Sequence, residues 1–109
     1  MDESALSTVR RLPGVRTAYL ISASSFATPS GTDPDAIVAR LLGALVGALG
    51  DATDAVGVGT LSEAMVEGSS GSVVVRALGG ASGAVVVTEA KANLGLIRLE
   101  LRKLPRVTA

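Results

Sequence analysis

The stretch Asp33–Val56, DPDAIVARLLGALVGALGDATDAV, constrains the fold more than any other, because its only charge between Asp35 and Asp51 is Arg40. Asp33 is a good N-cap, and Pro34 suits a first turn, where its missing N–H is no loss. Asp35 adds negative charge at the positive end of the helix dipole. At 100° per residue, the large side chains Ile37, Val38, Leu41, Leu42, Leu45, Val46 and Leu49 fall on one broad arc, which reads as the core face. The opposite arc carries Ala36, Ala39, Gly43, Gly47 and Gly50, bordered by Arg40, Asp51 and Asp54. A glycine inside a helix costs about 1 kcal/mol relative to alanine, so a helix holding three of them needs a reason. Close approach of a second helix supplies one: an antiparallel pair crossing near Gly43 and Gly47 brings Arg40 of one chain towards Asp51 or Asp54 of the other. The plain alternative is a Gly/Ala-rich surface in a compositionally biased protein. The apolar run after Arg40 is too short to cross a bilayer.

What packs against this helix has to be aliphatic, since Tyr19 and Phe26 are the only aromatic residues. A chain of 109 residues is read as one domain, 1–109, with 105–109 as a tail. Hydrophobic residues make up 48% of it, more than a small interior holds, so part of them is expected in an interface. Ten basic and ten acidic residues cancel, which argues against a nucleic-acid footprint and a polybasic membrane anchor. The N-terminus MDESALSTVRR is unlike a secretory signal, and a cytoplasmic location is expected.

Residues 2–12 read as a short helix with Leu6, Val9 and Leu12 on its apolar side, ended by Pro13-Gly14. Val15–Ser22 is β-prone and apolar on both faces, as a doubly covered strand requires. A short strand around Ser25–Thr28 is expected to pair back on it. After the long helix, Gly57-Val58-Gly59 forms a stop signal. Three strands follow: Leu61–Glu67, half polar with Glu63 and Glu67 on one side, as suits an edge or interface; then the Val-rich Ser72–Leu78 and Gly83–Glu89, which read as central. Gly-rich loops separate them, so the sheet is mostly antiparallel. In ANLGLIRLELRKL, Leu94, Ile97, Leu101 and Leu104 make one helical stripe, while Ile97, Leu99 and Leu101 alternate like a strand. Length and mixed charge favour helix.

Reactive chemistry is scarce. With neither His nor Cys, metal binding is left to carboxylates, and no thiolate nucleophile exists. Glu63 and Glu67 suit a solvated strand face better than an acid/base pair. Gly57-Val58-Gly59-Thr60 lacks the Lys-Ser/Thr of a phosphate loop. Ser22, Ser24 and Ser25 have no base to activate them. Arg16, Arg76, Arg98 and Arg102 could act on a nucleotide held by another protein, but nothing singles one out and solvated surface explains each better. The chain reads as a non-enzyme without cofactor or metal.

The order helix, two strands, long helix, three strands, helix, together with Asn93-Leu94-Gly95-Leu96, GSVVVRAL and the Val66-Glu67-Gly68 segment, resembles the roadblock/dynein light-chain family. The resemblance spans roughly residues 5 to 104 and departs at 22–32, where the family has an Asp/Gly turn. It implies an α+β fold of order α-β-β-α-β-β-β-α: a five-stranded antiparallel sheet with the long helix on one face and the terminal helices on the other. It also makes the last segment a helix. Family members commonly dimerise through the long helix and the strand after it. That implies an interface of Ala39, Arg40, Gly43, Gly47, Gly50, Asp51, Asp54, Leu61, Glu63, Met65 and Glu67. The family's partners are Ras-like small GTPases, with bacterial members resembling MglB acting as GTPase regulators. Only two of the ten basic residues are Lys, and Ala, Gly and Val abound, which suggests a GC-rich bacterial source.

The expected function is a homodimeric, non-enzymatic regulator or scaffold that binds a small GTPase. The rival readings are a purely structural dimerisation module and a small-ligand sensor domain.

Overall fold

The computed structural model describes residues 6–21, 34–79 and 82–105, with side chains in the long helix described from Ile37 onward except at position 39. The chain runs α1 (Ser7–Arg10), β1 (Val15–Ile21), α2 (Pro34–Ala55), β2 (Glu63–Gly68), β3 (Gly71–Gly79), β4 (Ser82–Glu89) and α3 (Leu94–Arg102). Its strands form one antiparallel sheet in the order β1-β4-β3-β2.

The five-stranded sheet and the α-β-β-α-β-β-β-α order are corrected by this topology. Among the described residues the sheet has four strands, and β1 is followed by α2. The strand expected at Ser25–Thr28 lies outside the described residues. That expectation had little physical support, because Phe26 is the single large apolar side chain among Ser, Thr, Pro and Gly from Ser22 to Thr32.

The Val-rich strands are central because both of their faces are covered. Val74, Val75, Val85 and Val86 are all fully buried. On one face, Leu6 and Val9 beside α1 and Ile97 and Leu101 of α3 pack with Ala18, Val74, Leu78, Ala84 and Val86. On the other, Leu42 and Val46 of α2 pack on Ile21, Val75 and Val85. Each such side chain contributes about 1.5–3 kcal/mol relative to exposure. The Arg10 guanidinium adds a tie from α1 to the sheet, donating to the Ala18 carbonyl at 2.9 Å. Thr88 is buried as well, and its hydroxyl is satisfied: it accepts from the Ser72 N–H at 3.2 Å and donates to the Glu89 carbonyl at 3.1 Å.

Helix α2 ends in two reverse hydrogen bonds, Gly57 N–H to Asp54 O at 3.2 Å and Val58 N–H to Thr53 O at 3.1 Å. Gly57 closes this Schellman motif with φ +82°, which glycine adopts without steric cost. The assignment of the whole large-residue arc to the core needs correction. Leu42 and Val46 face the sheet, but Ile37 and Val38 are exposed and Leu41 is 62% exposed. The apolar arc is wider than the strip of sheet beneath the helix, so one border is left in solvent.

In α3, the Asn93 side chain accepts the Leu96 N–H at 3.1 Å as an N-cap. Ile97 and Leu101 are buried, with Leu94 and Leu104 packed on the same cluster, whereas Leu99 is 53% exposed. A strand would have placed Ile97, Leu99 and Leu101 on one face. Leu101→Ala is therefore expected to cost about 2–5 kcal/mol and Leu99→Ala no more than about 0.5 kcal/mol, measured by urea unfolding. Equal losses would refute this orientation of α3.

Candidate functional site

Strand β2 pairs only with β3 among the described residues, leaving its outer edge open. An open edge presents unpaired N–H and C=O groups, a template for another strand. Glu63, Met65 and Glu67 point to the side of α1 and α3: Met65 stands opposite Val74 of that core cluster, and Glu63 is bonded to α3. Ala64 and Val66 point to the side of α2, where Ala64 packs on the second cluster. Met65 is 49% exposed and Val66 42%. Few protective features cover this edge, since its charges, Glu63 and Glu67, leave two apolar side chains open between them.

At the start of β2, Glu63 Oε2 accepts from Arg98 Nη2 at 2.7 Å and, more weakly, from Arg102 Nη2 at 3.5 Å. The two arginines lie one helical turn apart on α3, on the same face. Arg76 stands opposite Glu63 in the β2–β3 register and donates through Nη1 to the Ser62 carbonyl at 3.5 Å. Two guanidiniums thus share one carboxylate oxygen, and a third, Arg76, lies on the neighbouring strand opposite Glu63. The Arg98 hydrogen bond holds the Glu63 carboxyl below its ordinary pKa of 4.5, opposed by burial and helped by the charges of Arg98 and Arg102. Glu63 Oε1 is buried with no hydrogen-bond partner. The cluster ties the edge strand to the last helix.

Above the sheet, Ile37, Leu41, Ala44 and Ala48 recur at helical spacing, and all are exposed. This stripe was missed in the sequence because its two large residues were assigned to the core; the excess width of the apolar arc was the signal that could have found it. Of the residues expected at an interface, Arg40, Gly47, Asp51 and Asp54 are exposed on α2, whereas Gly43 is buried. Gly50 is half-buried, and a Cβ built at Gly47 or Gly50 would meet nothing within 4 Å. The side chain of Ala39 is outside the described part of α2. Leu61 is half-buried just before β2, and Glu67 is exposed on it. Asp51 and Asp54 lie near the negative end of the helix dipole, with no basic residue in the last turn to offset them.

Among the described residues, no group of three His, Cys, Asp or Glu could hold a metal ion. No described helix is long and apolar enough to cross a membrane. The open groups here are strand-edge amides, an apolar helix stripe and charged side chains around them, a set suited to binding protein.

A family model described as Roadblock/LC7 domain matches residues 1–88. The Asn93-Leu94-Gly95-Leu96 segment lies beyond the matched residues. Two uncharacterized proteins of Methanocaldococcus jannaschii, MJ0310 and MJ1340, are each 29% identical over 107 residues, covering 94% of this chain and 92% of theirs. The crystal structure of a Roadblock/LC7 domain from Streptomyces avermitilis superposes with a TM-score of 0.77 at 22% identity, covering 94% of this chain and 90% of that one. Myxococcus xanthus MglB gives a TM-score of 0.78 at 19% identity, with 93% and 85% covered. A gliding protein, MglB, from Thermus thermophilus gives 0.74 at 21% identity, with 93% and 80% covered.

The Glu63 cluster has a consequence for acid stability. Its folded pKa is below the unfolded value, so in the acid range the unfolded chain binds more protons. The pair's contribution is therefore present above the ordinary value of 4.5 and is lost as pH falls through the folded one. Glu63→Gln should be less stable than the parent chain at neutral pH, and the two should converge in acid. Urea midpoints on both sides of the ordinary value test this, and a gap independent of pH would contradict it.

Proposed function

This chain belongs to the Roadblock/LC7 domain family, and from that premise we propose that it is a homodimeric regulator or scaffold that binds a Ras-like small GTPase. Domains of this family are non-catalytic regulatory and scaffolding modules. The observation that carries the dimer is the pairing of two open surfaces on consecutive elements: the free edge of β2 and the exposed Ile37–Leu41–Ala44–Ala48 stripe of α2. A second copy fits both together, continuing the sheet across β2 while the two α2 helices lie antiparallel. That arrangement sets Leu41 against the partner subunit's Ala48 and brings Arg40 towards the partner subunit's Asp51 or Asp54. It also gives the acidic residues at the unfavourable end of the dipole a cation. Gly47, exposed and open within one chain, leaves room beside the approaching helix. Residues 1–109 are read as one such domain, with 105–109 as a tail.

The GTPase partner is supported by family membership and by the fold shared with the MglB structures. With no reactive constellation of its own, the dimer works by position: a rigid platform holds the switch segments of a nucleotide-loaded GTPase, and any change in turnover occurs on the partner. Such a partner places the protein's work in the cytoplasm.

Light scattering across a dilution series should give twice the 10.8 kDa mass of one chain. Leu41→Arg, at an exposed position, should shift the population to monomer while leaving the circular dichroism unchanged. Titration with a nucleotide-loaded small GTPase from the same genome should show binding and an altered hydrolysis or exchange rate. A dimer inert to every such GTPase would leave a structural dimerisation module, and a monomer at all concentrations would refute the dimer.

A further inference from the structure

We propose that the interface between two copies is centred on Met65, so that the partner subunit's Glu67 completes the arginine cluster around Glu63. This rests on the dimer reading above and adds its register and its charge logic.

Directly opposed residues in an antiparallel pair lie on the same face of the sheet. A two-fold axis perpendicular to a continuous sheet keeps both α2 helices on one side. Odd-numbered residues of β2 must then face odd-numbered residues of its copy, and the axis passes through Ala64, Met65 or Val66. Centring on Met65 sets Met65 against itself and Ala64 against the partner subunit's Val66. Both exposed apolar side chains of the strand are thereby covered. It also sets Glu63 directly against the partner subunit's Glu67.

Two opposed carboxylates would repel in isolation, but this end of β2 carries an excess of positive charge. Arg98 and Arg102 share one carboxylate oxygen, Glu63 Oε2, and Arg76 donates to the Ser62 carbonyl at 3.5 Å. Two guanidiniums therefore share one carboxylate, with Arg76 a third positive charge on the strand opposite. Arg98 and Arg102 are 39% and 54% exposed, with most of their N–H groups unspent. Glu67 lies on the same face at the other end of the strand, exposed and without an ion pair among the described residues.

Opposed Cβ atoms are about 4.5–5.5 Å apart. The partner subunit's Glu67 is thus brought beside Glu63, where the guanidiniums already reach. The symmetry repeats the contact at both ends of the strand pair. Centring on Val66 would instead set Glu67 against the partner subunit's Met65, and centring on Ala64 would set it against the partner subunit's Leu61. Either register leaves the cluster without its second carboxylate.

The chain has no cysteine, so single cysteines can report the register. Only a residue on the two-fold axis meets its own copy within disulfide reach, about 4.4–6.8 Å between Cα atoms. Under mild oxidation on non-reducing gels, Met65→Cys should cross-link, and Ala64→Cys and Val66→Cys should not. Glu67→Gln and Arg98→Gln should each raise the dimer dissociation constant roughly tenfold, because each pair occurs twice. The double variant should lose little more than either single one. Preferential cross-linking through residue 64 or 66, or a Glu67→Gln dimer as tight as the parent, would overturn the register while the dimer stood. A parent chain that stays monomeric by light scattering and never cross-links would instead overturn the dimer reading beneath it.

Discussion

The burial of β3 and β4 on both faces is the interaction on which the rest of this structure depends. Their valines form two back-to-back layers, with Val74 and Val86 turned to one set of helices and Val75 and Val85 to the other. A strand apolar on both sides is stable only when both sides are covered. The helices are therefore committed to positions that cover this pair. With no aromatic residue in these strands, close packing of branched aliphatic side chains supplies the cohesion.

Covering the central pair leaves β2 at the margin. It joins the sheet through β3, receives Ala64 packing from one side and the Glu63–arginine cluster from the other, and among the described residues keeps its outer edge open. Helix α2 is in a similar position, since the sheet uses Leu42 and Val46 and leaves Leu41 in solvent. These two incompletely buried elements follow one another in the chain. The proposed self-association thus follows from how a small core divides its apolar surface, and charged residues border the surplus.

Much of the fold was legible locally. The Val-rich runs separated by glycine loops identified β3 and β4 as a central hairpin, and the Pro34 start and Gly57 stop bounded α2 within a residue or two. The candidate site was legible only in part. Glu63 and Glu67 could be placed on one face of an edge strand from their spacing, but pairing Glu63 with Arg98 and Arg102 needs contacts across more than thirty residues of sequence. Nothing in the local pattern of α3 distinguishes those two arginines from solvated ones. The α2 arc failed for a related reason: periodicity shows that a face is apolar, not how much of it the sheet will cover.

The sequence by itself determined the long helix and its ends, the antiparallel hairpins, the scarcity of reactive groups and the resemblance to a non-catalytic family, because these depend on neighbours along the chain. It overran the end of the first helix, read as 2–12 where α1 is Ser7–Arg10, and the start of β2. Tertiary structure decided the order of the described strands, which border of α2 remains in solvent, the burial of Gly43, and the convergence of Arg98 and Arg102 on Glu63. Each of those is set by which surfaces meet when β1 returns beside β4 and α3 folds back over the central strands, and the energy of such meetings belongs to pairs of distant segments.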